Sequence, residues 1–166
     1  MHEKIVIIGG GQASISCASH LRTIGFDGEI FMICEEKLYP YQRPPLSKKF
    51  LTGHMLEERL LLKKTDYYKT NKIKLIFSVA KNIDREKKAI YLQSGEKINY
   101  TKAVIATGSR AKKAPLSDAD DFSNVVYLRN LNDAKKLKNL IQIGKKTLIV
   151  GGGYLGLEVA SVCSLA

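Results

Sequence analysis

Two glycine-rich turns stand out in the sequence as candidate ligand sites. The first lies in KIVIIGGGQAS, from Lys4 to Ser14, and the second lies in TLIVGGGYLGLEVA, from Thr147 to Ala160. In both segments a short apolar run breaks into three glycines and then opens a helical pattern. Such a turn brings backbone N–H groups at the positive end of a helix close to a pyrophosphate and stabilises its charge. The spacing therefore predicts two sites that each bind a dinucleotide.

The two turns match the fingerprint G-x-G-x-x-G to different degrees. The second turn has all three glycines, at Gly151, Gly153 and Gly156. In the first turn Gly9 permits the tight bend and Gly11 permits the close approach of the pyrophosphate, but Ser14 stands at the third position, where helix and strand pack closely. If the Ser14 hydroxyl forces helix and strand apart, the grip is weakened. If the hydroxyl tucks against the strand and bonds a nearby carbonyl, the departure is harmless.

An acidic pair follows the second predicted strand, EIFMIC, which runs from Glu29 to Cys34. Glu35 lies about 20 residues past the first glycine turn, where an acidic side chain accepts hydrogen bonds from an adenosine ribose. Its neighbour Glu36 competes for the role. The pattern predicts a ribose contact by one of the two.

Hydrophobic patterns predict the elements that position these residues. The run Ile5 to Ile8 predicts a strand buried on both faces, and a helix is expected from Gln12 to Gly25. Four further short runs predict a small antiparallel meander inserted as a crossover between parallel strands: Ile73 to Phe77, Val79 to Ile83, Ala89 to Leu92 and Lys97 to Tyr100. Another buried strand, Ala103 to Ala106, ends at Thr107 and Gly108, at the sheet edge where parallel sheets bind ligands.

Proline and polar segments separate these elements. The segment Tyr39 to Ser47 contains three of the four prolines and predicts an irregular loop, followed by a short helical stretch from Lys48 to Leu51. Polar residues from Arg110 to Asn124 mark the best domain boundary, and Asn130 to Ile143 predicts a helix. The fold class is α/β, with a Rossmann-like first domain over residues 1–112 and a linker plus the start of a second Rossmann-like domain over 113–166.

The composition and net charge indicate which classes of function to expect. The chain of 166 residues carries a net charge of +11, mostly from scattered lysines without interleaved aromatic residues, which favours a solvated surface or an acidic protein partner over nucleic acid. No apolar run reaches membrane-spanning length, and the first run is too short for a signal peptide, so a cytoplasmic protein is expected. The three cysteines and three histidines show no metal-ligand spacing, and no metal is expected.

Several motifs together carry a family resemblance. They are IVIIGGGQAS, ICEE, PYQRPPLSK from Pro40 to Lys48, IATGSR from Ile105 to Arg110, YLRNLNDA from Tyr127 to Ala134, and LIVGGGYLGLEVA. On these motifs the chain resembles the N-terminal part of the ferredoxin and rubredoxin reductase branch of the FAD-dependent pyridine nucleotide oxidoreductases.

The resemblance implies that FAD binds at the first glycine-rich turn and NAD(H) or NADP(H) at the second. The implied FAD-binding residues are Gly9, Gly11, Gln12, Ala13, Ser14, Glu35, Arg43, Lys48, Ala80, Thr107, Gly108 and Arg129. The implied nicotinamide-binding residues are Gly151, Gly153 and Gly156. Lys48 and Glu158 are the implied catalytic pair, because a cation near the flavin stabilises negative charge on its reduced form and a carboxylate orients that lysine.

The resemblance also implies an activity and a partner. Hydride would pass from the nicotinamide to FAD, and electrons would then pass to an acidic ferredoxin-type or rubredoxin-type protein. A monodehydroascorbate-reductase-like enzyme and a non-catalytic flavin-binding or interaction module are the alternatives. Because Tyr39 to Leu51 contains no cysteine, with Ser47 near the place where related enzymes carry one, thiol chemistry at the flavin is not expected.

The family continues with further segments beyond those matched here. The chain is therefore expected to be a fragment that binds FAD weakly or not at all and shows no NAD(P)H-dependent turnover.

Overall fold

The computed structural model describes residues 3–115, 122–141 and 145–165. The strands are β1 (Lys4–Ile8), β2 (Glu29–Ile33), β3 (Ile73–Ile76), β4 (Ala80–Asp84), β5 (Ala89–Leu92), β6 (Lys97–Asn99) and β7 (Lys102–Ile105). The helices are α1 (Gln12–Thr23), α2 (Thr65–Thr70), α3 (Leu131–Leu140) and α4 (Tyr154–Ser164), with 3₁₀ helices at Pro44–Ser47 and Glu57–Leu60. The predicted end of the third helix at Ile143 lies outside the described residues.

A parallel four-stranded sheet in the order β3-β2-β1-β7 organises the N-terminal part of the chain. Its central strand β1 is buried on both faces, as its unbroken β-branched run predicts. One face packs Ile5 and Ile7 against Ile15 and Ala18 of α1. The other packs Val6 and Ile8 against strands β5 and β6. The fold class predicted from the sequence is confirmed.

The antiparallel meander is smaller than expected. Strands β4, β5 and β6 form a three-stranded antiparallel sheet, but β3 joins the parallel sheet, where Ile30 pairs with Ile73. The assignment of Ile73 to Phe77 to the meander was wrong. The physical reason is that α2 carries the chain back along β2, and Ile73 then packs beside Tyr68 of that helix in the core.

Strand β7 is also less buried than its apolar sequence predicts. It pairs with β1 along one side, and among the described residues no strand pairs with its other side. Ile105 is consequently 70% exposed, and Ala103 is exposed as well. The prediction of a buried strand was wrong here because an apolar run does not reveal whether it lies inside the sheet or at its edge.

The chain forms two compact units. One contains residues 1–42 and 61–108, and the other contains residues 43–60 and 109–166. Residues 43–60 thus belong with the C-terminal part of the chain, although they lie within the range predicted for the first domain. The division into domains at residues 112 and 113 stays a prediction.

The C-terminal unit contains α3, α4 and the 3₁₀ helices. Asn130 and Asp133 form a capping box at the start of α3, and Leu51 packs against Val159 and Val162 of α4. The short helix was predicted at Lys48 to Leu51, but the 3₁₀ helix spans Pro44–Ser47, inside the segment predicted to be an irregular loop, and Lys48 to Leu51 form turns. Proline is tolerated in the first turn of a helix, so it did not exclude a helix here.

The segment Thr147 to Val150 differs most from expectation. It forms no strand ladder with any described residue, and Leu148 and Val150 are 88% and 74% exposed. The expected buried strand is therefore not observed, since a strand requires neighbours for its backbone N–H and C=O groups. None of the described helices has the length and hydropathy needed to cross a membrane.

Candidate functional site

Gly9 sits at the point where three strand ends meet. Its φ angle is +135°, and a Cβ atom built on it would lie 2.2 Å from the carbonyl oxygen of Ala106, just past β7. Its N–H donates to the carbonyl oxygen of Ile33 at 2.9 Å. Only glycine meets both demands, the left-handed backbone and the close contact.

Helix α1 begins with N–H groups that no side chain caps. Its N-cap is Gly11, in extended conformation and without a side-chain cap hydrogen bond, and Gln12 and Ala13 are exposed beside it. A Cβ atom at Gly11 would meet no atom within 4 Å, so open space lies above the turn. The arrangement fits a pyrophosphate, which would approach the backbone in that space and accept from the helix N-terminus.

Ser14, the departure from the glycine fingerprint, is fully buried. Its Oγ atom has no hydrogen-bond partner among the described residues and lies 2.9 Å from the position of a Cβ on Gly9. The hydroxyl therefore tucks into the helix–strand contact without bonding a carbonyl. Helix α1 still packs on the sheet through Ile15 and Ala18.

The two acidic residues after β2 lie in different environments. Glu35 is exposed, whereas Glu36 is half-buried and accepts a hydrogen bond from the Tyr41 hydroxyl at 2.5 Å. Tyr41 is itself buried, so this bond fixes the orientation of Glu36. Sequence reasoning missed Tyr41, because nothing in the PYQRPP motif indicates which acid its ring reaches.

Two other predicted residues, Ala80 and Thr107, line one cavity of about 390 Å³. Its walls come from the carboxyl ends of β1 and β7 and from β4: Ile8, Ala80, Lys81, Asn82, Ile83, Ile105 and Thr107. Gly108 follows with a φ angle of +71°. Lys81 and Asn82 were not predicted, since an exposed lysine and asparagine in a short strand give no local signal of a ligand site.

The second glycine turn is built like the first. Gly151 has a φ angle of +117°, and a Cβ atom on Gly156 would lie 2.3 Å from the Gly151 carbonyl oxygen. Gly153 is the N-cap of α4, again without a side-chain cap, and a Cβ there would meet open space. The turn fits a second pyrophosphate.

The predicted pair Lys48 and Glu158 is in direct contact within the C-terminal unit. Lys48 Nζ lies 2.6 Å from Glu158 Oε1, and the Ser47 hydroxyl donates to Oε2 of the same carboxylate at 2.5 Å. The hydrogen bond from Lys48 and then the one from Ser47 lower the pKa of Glu158 below its usual range. The hydrogen bond from Ser47 to Glu158 was not predicted from the sequence.

The two predicted arginines are linked through the backbone. Arg43 Nη1 donates to the carbonyl oxygen of Arg129 at 3.0 Å, and Arg129 Nε donates to the carbonyl oxygen of Ser109 at 2.8 Å. The Arg129 N–H also donates to Asp133 of the capping box. Arg129 is thus anchored through both its main chain and its Nε atom. No described group of histidine, cysteine, aspartate or glutamate side chains converges on a metal site.

Known proteins show the same sequence pattern and fold. The Pseudomonas putida rubredoxin-NAD(+) reductase is 38% identical over 158 residues, which cover 95% of this chain and 41% of that protein. A covalent putidaredoxin reductase–putidaredoxin complex matches with a TM-score of 0.94 at 33% identity, covering 98% of this chain and 40% of that one. The NADH:rubredoxin oxidoreductase of Clostridium acetobutylicum matches with a TM-score of 0.83 at 36% identity, covering 99% and 42%.

The chain thus spans about two-fifths of the length of these relatives. The resemblance to ferredoxin and rubredoxin reductases predicted from the motifs is confirmed. The sequence model of the pyridine nucleotide-disulphide oxidoreductases matches residues 3–166. Because this match extends over nearly the whole chain, the protein belongs to the pyridine nucleotide-disulphide oxidoreductase family.

Proposed function

We propose that this chain supplies the FAD-binding part and the beginning of the nicotinamide-binding part of an FAD-dependent NADH oxidoreductase. The observation that carries the proposal is the pair of equivalent glycine turns. Both begin with a glycine of positive φ, at Gly9 and Gly151, and both end in a helix whose glycine N-cap leaves its N–H groups uncapped by a side chain. Two such sites suit an enzyme that holds two dinucleotides.

FAD is assigned to the first turn. Gly9 and Gly11 shape the turn, the N–H groups of Gln12 and Ala13 face the pyrophosphate, and Ser14 closes the helix–strand contact behind it. Glu35 is assigned to the adenosine ribose, because it follows β2 about 20 residues past the first glycine turn. Thr107 and Gly108, just past the carboxyl end of β7, and Ala80, at the start of β4, complete this set.

The nicotinamide cofactor is assigned to the second turn, with Gly151, Gly153 and Gly156 at its pyrophosphate. NADH is preferred over NADPH, because two of the similar proteins are named for NAD(+) or NADH. Bound FAD would supply the chemistry of accepting a hydride from the nicotinamide and releasing electrons one at a time.

Lys48 is assigned to the flavin as a positive charge paired with a carboxylate. Glu158 holds its ammonium group at 2.6 Å, and the lowered pKa of Glu158 keeps that carboxylate ionised at neutral pH. A paired cation of this kind stabilises negative charge that develops next to it. Arg43 and Arg129 are assigned to the same cofactor.

The electron acceptor is proposed to be a small acidic protein of the ferredoxin or rubredoxin type. Similar proteins are named for rubredoxin and putidaredoxin. The net charge of +11 suits this partner, since opposite charges accelerate encounter and favour the correct orientation.

Ligand titration by calorimetry tests the assignment of the first turn. FAD and ADP share the adenosine and pyrophosphate that this turn is proposed to hold, whereas FMN lacks both. The expected result is measurable, weak binding of FAD and ADP and much weaker binding of FMN. Binding of FMN at or above the affinity of FAD contradicts the assignment.

A further inference from the structure

Two consecutive residues bind the two oxygens of one carboxylate. Ser47 Oγ donates to Glu158 Oε2, and Lys48 Nζ contacts Glu158 Oε1. The serine and the glutamate are 111 residues apart in the sequence. A carboxylate that is held at both oxygens has a fixed plane as well as a fixed position.

The two donors differ in how firmly they are held. Ser47 is only 3% exposed and ends the 3₁₀ helix Pro44–Ser47, next to the buried Leu46. The Lys48 side chain is 52% exposed and has four rotatable bonds, so little besides the carboxylate limits where its ammonium rests. Ser47 is the rigid donor, and Lys48 is the mobile one.

Glu158 is carried by a helix that packs beside this loop. Its neighbour Val159 and, one turn later, Val162 are buried against Leu51. The helix fixes the Cα atom of Glu158, but the carboxylate can still rotate about its own side-chain bonds. The hydrogen bond from Ser47 removes that remaining freedom.

We propose that Ser47 is a positioning residue, whose hydroxyl orients the Glu158 carboxylate and thereby fixes the ammonium group of Lys48 at one place. The purpose of this arrangement rests on the proposed function, in which Lys48 serves the flavin. The arrangement itself involves only Ser47, Lys48 and Glu158.

Two lysines of α3 near this loop are engaged elsewhere. Lys135 of α3 pairs with Glu57 at 2.6 Å, and Lys138 of α3 lies over the Phe50 ring. Among the described residues, the charged group that contacts Glu158 is Lys48. A change in the titration of Glu158 therefore reports on Lys48 and Ser47.

A double-mutant cycle on the Glu158 carboxyl group tests the proposal. The pKa of Glu158 is measured by NMR on the ¹³C-labelled chain in four forms: unchanged, Ser47→Ala, Lys48→Met and both together. Removing Lys48 is expected to raise the pKa of Glu158 clearly when Ser47 is present and by less when residue 47 is alanine. This non-additivity is the sign that Ser47 holds Lys48 and Glu158 in their productive contact. Equal rises in the two backgrounds overturn the proposal, because Ser47 would then act only for itself.

Conservative variants separate positioning from a general loss of structure. Ser47→Thr keeps a hydroxyl and is expected to restore the coupling, whereas Ser161→Ala on the exposed face of α4 is expected to leave it unchanged. Should Ser47→Ala fail to fold, Ser47→Cys replaces it in the cycle, since a thiol is a weak donor of similar size. The titration requires neither flavin nor NADH, so its outcome is independent of whether the proposed oxidoreductase function holds.

Discussion

Gly9 and Gly11 are two residues apart, but the protein itself requires glycine only at the first. At Gly9 the positive φ angle and the carbonyl oxygen of Ala106 exclude any side chain. At Gly11 the φ angle is −104°, which any residue adopts, and a Cβ would meet open space. A glycine that the fold does not require is explained by a ligand that approaches the backbone at that point.

Gly11→Val should therefore leave folding intact and weaken FAD binding at least tenfold, because the side chain would fill the space assigned to the pyrophosphate. FAD fluorescence measures the affinity, and far-UV circular dichroism during urea unfolding measures the stability. Gly9→Ala is the matched comparison and is expected to destabilise the fold itself. If Gly11→Val bound FAD as the unchanged chain does, the pyrophosphate would have to lie elsewhere.

Ser14→Ala should increase the free energy of unfolding by about 1 kcal/mol, because the buried Oγ atom has no hydrogen-bond partner in the described part of the chain. Urea unfolding of both forms measures the difference, and Ser161→Ala is the exposed control. A clear loss of stability would show that the hydroxyl is paired in solution.

At the scale of elements, Arg22 at the end of α1 joins three segments. Its Nε donates to Asn71 O at 2.8 Å, its Nη1 to Phe26 O at 2.6 Å and Gly28 O at 2.9 Å, and its Nη2 to Lys72 O at 2.9 Å. The planar guanidinium thus ties the helix end to the turn before β2 and to the turn before β3. A lysine cannot reproduce this fork of donors.

Arg22→Lys should lower the free energy of unfolding by about 2 kcal/mol, because several charge-assisted hydrogen bonds are lost and carbonyl groups are left unpaired. Chemical denaturation provides the value. Arg85→Lys, in the exposed turn between β4 and β5, is the control and should change little. An equally small effect at Arg22 would mean that water replaces its bonds without cost.

Glu29 of β2 makes the parallel sheet sensitive to acid. It contacts Lys74 of β3 at 2.8 Å and Lys4 of β1 at 3.1 Å, and the hydrogen bonds from Lys74 and then Lys4 lower its pKa. Since the folded pKa lies below the unfolded one, this contribution to stability is present above the unfolded pKa and is lost as pH falls through the folded pKa.

Glu29→Gln should therefore be less stable than the unchanged chain at neutral pH, and the difference should vanish in acid. Thermal unfolding at a series of pH values below 6 measures both curves, with Glu58→Gln as the control. A difference that stays constant down to pH 2 would mean that charge plays no part at this position.

The sequence predicts best those elements that are determined by residues adjacent in the chain. Strand β1 and helix α1 follow directly from the run Ile5 to Ile8 and the glycines after it. Strand β3 was predicted as a strand but in the wrong sheet, and Thr147 to Val150 was wrongly predicted to be a buried strand. Pairing depends on which strand edges lie nearby, which the local sequence does not show. Likewise the contact of Lys48 with Glu158 follows from the family resemblance, whereas the bond from Ser47 could not be predicted from a sequence separation of 111 residues.

Across the whole molecule, the second glycine turn differs from the first in the backbone that precedes it. The residues before Gly9 form β1 at the centre of a sheet, whereas those before Gly151 have no strand partner among the described residues and leave Leu148 and Val150 exposed. A nicotinamide held by such a turn would be less firmly fixed, because no described strand ladder anchors the backbone before Gly151.

The 166-residue chain is therefore expected to show no NADH-dependent turnover even when FAD is added. Reduction of ferricyanide by NADH, followed at saturating FAD, measures this, and the rate with free FAD alone is the baseline. Turnover clearly above that baseline would show that the second turn holds NADH productively as it stands.

Amide NMR can test whether the first glycine turn holds FAD, because the turn is proposed to bind the pyrophosphate through its backbone N–H groups. In a titration of the ¹⁵N-labelled chain with FAD, the N–H signals of Gly11, Gln12 and Ala13 should show the largest progressive shifts. The same signals should stay in place when FMN replaces FAD. If FAD leaves these three signals unmoved, or shifts a distant segment more strongly, the assignment of this turn to FAD is wrong.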